Sequence, residues 1–75
     1  MEQCQYVLLE SRLDRRICYG IAAVTAYDGT AAILQSYVDL CTDHDAAADF
    51  VSLCSTQQLS LCHLPDAVDD FLANL

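Results

Sequence analysis

The chain has 75 residues, of which 55% are hydrophobic and 19% are charged, and its formal net charge is −8. A chain of this length builds a single core, so a second domain is excluded, and its apolar fraction excludes the disordered class. With three arginines and no lysine, binding to nucleic-acid phosphate or to an anionic membrane is disfavoured, because both need a basic footprint. We therefore expect one domain over residues 1–75 and a protein partner.

The acidic charge is unevenly distributed along the chain. Seven of the 11 acidic residues fall in residues 31–75, which hold no basic residue. That half would attract a basic protein partner, although solubility alone also accounts for such charge. Mimicry of nucleic acid by the acidic half is a third explanation, which the spacing of the carboxylates supports little.

The compartment is inferred from hydropathy and from the cysteines. No apolar stretch approaches the roughly 20 residues of a membrane span, and the N-terminal segment places its acids before its arginines, the reverse of a secretory signal. We therefore expect a cytoplasmic protein, in which thiols stay reduced and behave as small buried hydrophobes. An odd number of cysteines also argues against a closed disulfide framework. The five cysteines are Cys4, Cys18, Cys41, Cys54 and Cys62.

Two strands are predicted in the first third of the chain. Residues 5–13 (QYVLLESRL) are rich in β-branched and large apolar residues, and Asp14 and Arg15 then supply a polar turn. Residues 16–27 (RICYGIAAVTAY) alternate with both faces largely apolar, as in a central strand. Gly20 inside this strand indicates a bulge or a close approach, for which we expect a packed helix or an aromatic ring as the neighbour.

A third strand completes a predicted antiparallel meander. Asp28-Gly29 suits a two-residue hairpin turn with positive φ. Residues 31–41 (AAILQSYVDLC) then show the alternation of a half-buried strand. We expect Leu34, Val38 and Leu40 on one face and Gln35, Tyr37 and Asp39 on the other.

The first predicted helix runs from about residue 43 to residue 55 or 57. Thr42 followed by Asp45 three residues on resembles a capping box, and Asp43 and Asp45 complement the positive helix end. The acids of LCTDHDAAADFVSLC are thus explained by the start of a helix. Its inward stripe is expected to be Ala46, Ala47, Phe50, Val51 and Cys54.

A second helix is predicted from Pro65 to about Asn74. Proline fits the first helical turn, where its missing N–H is not needed. The residues expected to face inward are Val68, Phe71 and Leu72, anchored by Leu61 and Leu64.

The cysteines and histidines could in principle form a metal or catalytic site. The chain contains one CxxH and no CxxC, whereas structural zinc usually gathers two closely spaced ligand pairs. A nucleophilic thiol at Cys62 beside His63 lacks a third group to orient the base. We therefore assign no catalytic, cofactor-binding or metal residue and expect no enzyme. The alternative is a small metal- or thiol-dependent enzyme or sensor that uses Cys41, His44, Cys54 and Cys62, and a metal site could also include His63.

The four tyrosines, Tyr6, Tyr19, Tyr27 and Tyr37, all fall on predicted strands. If they line a face that the helices leave uncovered, they form an aromatic patch for a partner or a second copy. The alternative is that they pack in the core or scatter over the rim. The sequence leaves both open.

Several short motifs resemble those of a known family. They are a YGI-like segment at residues 19–21, a TD helix start at Thr42 and Asp43, and a closing pattern LS…HL.D.V.DFL. The closing pattern is matched by Leu59, Ser60, His63, Leu64, Asp66, Val68, Asp70, Phe71 and Leu72. On these motifs the chain resembles, over nearly its whole length, a family of short uncharacterised bacterial proteins, mostly from Gram-positive anaerobes. The resemblance implies no activity, cofactor or binding residue, and Pro65 departs from the family pattern at the start of the last helix.

The sequence as a whole predicts an α+β domain, a three-stranded antiparallel β-meander followed by two α-helices packed on one face. We expect a small cytosolic interaction or regulatory module that presents an acidic helical surface. Its expected partner is a protein, of basic charge, or a second copy bound through the uncovered face or an edge strand.

Overall fold

Three antiparallel strands form one sheet with the middle strand of the chain at its centre. The computed structural model describes residues 4–27 and 30–75. Strand β1 is Gln5–Leu13, β2 is Arg16–Tyr27 and β3 is Thr30–Cys41, in the order β1-β2-β3. The predicted meander is therefore confirmed.

The two hairpin connections are short. Leu13 pairs with Arg16 across the first turn, where Asp14 has φ 57, a left-handed conformation that aspartate tolerates better than most residues. The polar turn predicted there is confirmed. Tyr27 pairs with Thr30 across the second connection, and the predicted turn residues Asp28 and Gly29 lie outside the described residues.

Strand β3 is irregular where it passes Gly20. Its register with β2 shifts between Tyr19 and Ile21 and again between Ala23 and Val24. A Cβ atom at residue 20 would overlap the backbone carbonyl of Tyr37. The predicted bulge is confirmed, but the expectation of a helix or aromatic ring as neighbour is wrong, because the close neighbour is the β3 backbone.

These irregularities also change which residues of β3 face the helices. Tyr37 and Leu40 pack against the core, whereas Leu34 and Val38 are exposed. The predicted apolar face of Leu34, Val38 and Leu40 is therefore wrong for two of its three members. The physical reason is that each bulge inserts residues into one strand and interrupts the period of two.

Helix α1 is His44–Thr56 and is capped by Asp43. The Asp43 carboxylate accepts hydrogen bonds from the backbone N–H groups of Asp45 (3.0 Å) and Ala46 (3.3 Å). The predicted extent is confirmed, but the cap is one residue later than Thr42. Within the predicted stripe, Ala47, Phe50 and Cys54 are the buried members.

A left-handed residue ends α1 and turns the chain back toward the sheet. Gln58 has φ 50, and the N–H of Leu59 donates to the carbonyl of Cys54 at 3.0 Å. This is the hydrogen bond of a Schellman motif, which usually has glycine at the left-handed position. The Tyr6 hydroxyl then donates to the Leu59 carbonyl at 2.5 Å, which ties the connector to β1.

A short 3-10 helix, Leu61–His63, leads directly into helix α2, Leu64–Ala73. Pro65 lies in the first turn of α2 as predicted. Leu64 and Val68 are buried, and the Phe71 ring stacks on Phe50 of α1 with centroids 4.6 Å apart. Leu72, predicted to face inward, is 44% exposed, so that assignment is wrong.

The core lies between the helices and one face of the sheet. Burying these apolar side chains supplies the main driving force for folding. Helices α1 and α2 therefore cover the same face, and the predicted α+β class with order βββαα is confirmed. The buried cluster consists of Tyr6, Ile21, Ala23, Phe50, Cys54, Leu64 and Val68.

Candidate interaction surface

The face of the sheet that the helices leave uncovered exposes large apolar side chains. Ile33 is 67% exposed, Val38 is 56% exposed and Val7 is 38% exposed. An antiparallel sheet that faces water usually carries polar side chains there, so large exposed apolar residues indicate an interaction surface. We name this side of the sheet the open face. By strand alternation its polar members are Gln5, Ser11, Arg16 and Ser36, and its apolar members are Val7, Leu9, Cys18, Ala22, Val24, Ile33 and Val38.

The side chains of the open face differ in size from strand to strand, which gives this surface an uneven shape that we call its relief. The middle strand contributes Cys18, Gly20 and Ala22, whose side chains are small or absent. On the β1 side Val7 pairs with Ala22 and Leu9 pairs with Gly20. Gly20 and Ala22 are nevertheless buried, with the β3 backbone at Tyr37 lying against Gly20. The exposed apolar surface of this face therefore lies mainly on β1 and β3.

Sequence reasoning found part of this surface. The alternation of β1 and the two apolar faces of β2 were legible, but Ile33 was missed because the bulges of β3 displace its side chains. The surface could have been predicted by comparing the number of apolar sheet faces with the number of helices available to cover them. The predicted central strand was apolar on both faces, while the chain offers only two helices.

Charged groups meet the open face at the end where β1 turns into β2. Arg16 is on the same side as Cys18 by alternation, and the Ser11 hydroxyl donates to the Asp39 carboxylate at 3.0 Å. An open depression of about 1350 Å³ adjoins this end and carries Arg15, Arg16, Asp14 and Asp39 in its lining. Charges of both signs alternate there, so the depression does not select a ligand of one charge.

The cysteines and histidines of the metal or thiol alternative lie in three places. The Cys41 thiol donates to the Asp43 carbonyl at 3.4 Å, and His44 contacts the Tyr19 ring edge-on at 5.2 Å. Cys54 lies in the core, whereas Cys62 and His63 are exposed on the 3-10 helix. Within residues 4–27 and 30–75, no three His, Cys, Asp or Glu side chains come close enough together to hold a metal ion.

The Tyr6 phenol interacts electrostatically with cysteine side chains. Burial raises the pKa of this phenol, and a hydrogen bond with Cys4 and the negative charge that Cys4, Cys54 and Cys62 carry when ionised raise it further. Burial also raises the pKa of Cys54. A thiol with a raised pKa is protonated at neutral pH and is a poor nucleophile. This arrangement is typical of core packing rather than of thiol catalysis.

The tyrosines whose side chains are described lie on the covered side of the sheet. Tyr6 is buried, Tyr37 packs against the core and Tyr19 contacts His44 of α1. These three tyrosines therefore form no patch on the open face, in agreement with the alternative that they pack in the core or at its rim. The side chain of Tyr27 lies outside the described residues.

The acidic residues of the helical layer all point to solvent. His44 pairs with Asp45 at 3.2 Å, in an exposed position where such a pair contributes little to stability. The layer is thus a negatively charged surface on the side of the molecule opposite to the open face. Its exposed aspartates are Asp43, Asp45, Asp49, Asp66, Asp69 and Asp70.

Comparisons with known proteins give one match. A model of a family of unknown function (DUF6514) matches residues 1–74. Neither the curated proteins nor the solved structures yielded a match to this chain. In the described part of the chain, no helix has the length and hydrophobicity needed to cross a membrane. The bacterial source that the resemblance implied stays a prediction.

Proposed function

The chain belongs to the family of unknown function DUF6514, and we propose that it is a small, cytoplasmic, non-enzymatic interaction module that binds another polypeptide chain through its open face. The observation that carries the proposal is the exposure of Ile33, Val38 and Val7 on the uncovered side of the sheet. Full burial of an exposed valine or isoleucine contributes roughly 1.5–3 kcal/mol, and these partly exposed side chains would contribute a fraction of that value each. Burial of this face against a partner is therefore favourable.

The acidic helical layer gives this module a second property. Its aspartates repel nucleic acid and anionic membranes and keep the molecule soluble despite the apolar open face. A basic protein would be attracted to the layer, but contacts between exposed charges weaken as salt rises. Apolar contacts at the open face do not weaken in this way. Salt therefore separates the two surfaces experimentally.

Cytoplasmic placement is part of the proposal and is supported by the cysteines. The five thiols are free, which is the usual state of cysteine in a reducing compartment. Fractionation of cells that produce the untagged protein tests this placement. Recovery outside the cytoplasmic fraction would contradict it.

The test of the binding function compares open-face and helical variants in capture experiments. Immobilised wild type, Ile33→Glu and Leu53→Glu are incubated with native cell extract at low and high salt. Leu53 is 53% exposed on α1, so its variant adds the same charge on the other side of the molecule. We expect a bound chain that survives high salt, is lost from Ile33→Glu and is retained by Leu53→Glu.

Two outcomes would contradict the proposal. In one, no bound chain, including a second copy of the protein itself, depends on Ile33. In the other, every bound protein is released by high salt, which would assign binding to the acidic layer instead. Both variants are first compared with wild type by circular dichroism and urea unfolding, so that loss of binding is not confused with loss of fold.

A further inference from the structure

The occupant of the open face follows from its charge, its relief and its area. We infer that the open face binds the open face of a second copy of this chain, to form a symmetric dimer with the two sheets packed together and the helices outside. This inference rests on the proposed function and names its partner. The resulting arrangement has four layers, helices, sheet, sheet and helices.

Charge is the first argument, because a chain of net charge −8 repels its own copy. The six aspartates of the helical layer lie on the side away from the open face. Stacked sheets are about 10 Å apart, so the two helical layers of the dimer would be roughly 30 Å apart. This distance is several times the Debye length of about 8 Å at physiological salt. The open face is therefore the broad face through which two copies can approach with little repulsion.

Relief is the second argument. Ile33 and Val38 of β3 are the most exposed large apolar side chains of the open face, whereas Gly20 and Ala22 of β2 are buried. Two-sheet packings cross at about 30° and interdigitate the side chains of their inner faces. In a symmetric pair, the protruding side chains of Ile33 and Val38 of one copy can pack between side chains of the other, and the reverse contact is made at the same time.

Area is the third argument. Three strands of 9–12 residues, about 4.8 Å apart and rising about 3.3 Å per residue, present roughly 500 Å² on one face. Two copies would bury about 1,000 Å² in all, which reaches the lower limit of biological interfaces. This size fits a reversible dimer, and we expect a dissociation constant in the range of about 1–100 µM. A 75-residue domain also gains from such a partner, because a core of this size is marginal alone.

The test is the concentration dependence of molecular mass, measured by sedimentation equilibrium from about 1 µM to 1 mM, a range that brackets the expected dissociation constant. Wild type is expected to rise from the monomer mass to twice that mass. Ile33→Glu places one charge from each copy in the interface and should raise the dissociation constant by about 100-fold or more. Leu53→Glu, with the same added charge outside the interface, should dimerise like wild type.

A second measurement needs no substitution in the interface. Cys18 lies on the open face and is half-buried, whereas Cys62 is exposed on the 3-10 helix. Alkylation of Cys18 should therefore slow as the concentration of wild type rises, while alkylation of Cys62 should keep a constant rate. Mass spectrometry of peptides after brief labelling reports the two rates separately, and it remains informative if Ile33→Glu fails to fold.

The inference is overturned if wild type stays monomeric to 1 mM, at least about 10 times the expected dissociation constant. It is also overturned if Leu53→Glu dissociates the dimer as strongly as Ile33→Glu, or if Cys18 labelling is independent of concentration. A monomeric wild type that still captures another protein through Ile33 would overturn this inference and leave the proposed function standing. A monomer with no Ile33-dependent partner would overturn both.

Discussion

The two faces of one sheet have similar apolar composition and opposite surroundings. Ile21 and Ala23 of β2 are fully buried beneath the helices, whereas on the other face Ile33 is 67% exposed and Val38 is 56% exposed. The difference is not in hydrophobicity but in the number of elements available to cover each face. Two helices of 13 and 10 residues cover one face of a three-stranded sheet, and no other element among residues 4–27 and 30–75 covers the opposite face.

This comparison separates residues that hold the fold from residues that offer binding. Substitution on the covered face should lower the free energy of unfolding, because it removes packing that already exists. Substitution at an exposed position of the open face, such as Ile33 or Val38, should leave the fold of the monomer nearly unchanged and alter association. The largest effects on stability are therefore expected where the helices contact the sheet.

Leu64→Ala is expected to have the largest effect. Leu64 is fully buried at the start of α2, and its truncation should lower the free energy of unfolding by about 2–5 kcal/mol through lost burial and the cavity left behind. Leu72→Ala is the matched control two turns later, at a position 44% exposed, and should cost less than about 1 kcal/mol. Urea unfolding followed by circular dichroism measures both.

If Leu64→Ala does not fold, a less disruptive substitution in the same core can be measured instead. Ile21→Val removes one methylene from the sheet side of the same contact and should cost about 0.5–1.5 kcal/mol. If Leu64→Ala and Leu72→Ala lower the free energy of unfolding equally, the distinction between buried and exposed positions of α2 is contradicted. If only Leu72→Ala lowers it, Leu72 rather than Leu64 holds the helix on the sheet.

High pH should destabilise the covered face through Tyr6 and Cys54. Burial raises the pKa of both groups above 10.0 for the phenol and 9.0 for the thiol. Above pH 9 the unfolded chain therefore releases protons that the folded chain keeps, and the free energy of unfolding falls as pH rises. Below pH 9 the contribution of both groups is fully present. Urea unfolding at intervals from pH 7 to pH 11 measures the slope.

The variants Tyr6→Phe and Cys54→Ala test how much each of the two side chains contributes to the loss of stability at high pH. Tyr6→Phe loses the hydrogen bond to the Leu59 carbonyl and should cost about 1 kcal/mol at pH 7, but its stability should fall less steeply above pH 10. The free energy of unfolding of Cys54→Ala should fall less steeply than that of wild type above pH 9. If wild type and both variants lose stability in parallel, the alkaline loss arises elsewhere.

Much of this fold can be predicted from local sequence patterns, whereas the composition of the open face can be predicted only in part. The alternation of residues 5–13 and 16–27, the turn at Asp14 and the position of Pro65 follow from period, turn chemistry and proline geometry. Each of these signals depends only on residues near it in the chain. The strand order and the helix count are consequences of them.

What the sequence did not predict depends on contacts between distant segments. One bulge of β3 lies at the close approach to Gly20, and no periodicity in residues 30–41 reveals either bulge. The left-handed residue that ends α1 is Gln58 rather than glycine, so the usual signal was missing. The inward assignment of Leu72 was wrong, and the position of the tyrosines was left open, because both required knowledge of which face the helices would cover.

The smallest expected effect concerns the cap of α1, where the sequence offered two adjacent candidates. The Asp43 carboxylate accepts two backbone hydrogen bonds and lies at the positive end of the helix, so Asp43→Ala should cost about 1 kcal/mol. Thr42→Ala, next to it and exposed, should cost less than about 0.5 kcal/mol. Urea unfolding measures the loss of stability in each variant. A larger loss in Thr42→Ala than in Asp43→Ala would show that Thr42, the residue predicted from sequence, is the N-cap. Because Asp43 is on the helical layer, its variant should weaken the cover of the sheet and leave the molecular mass of the folded protein as in wild type.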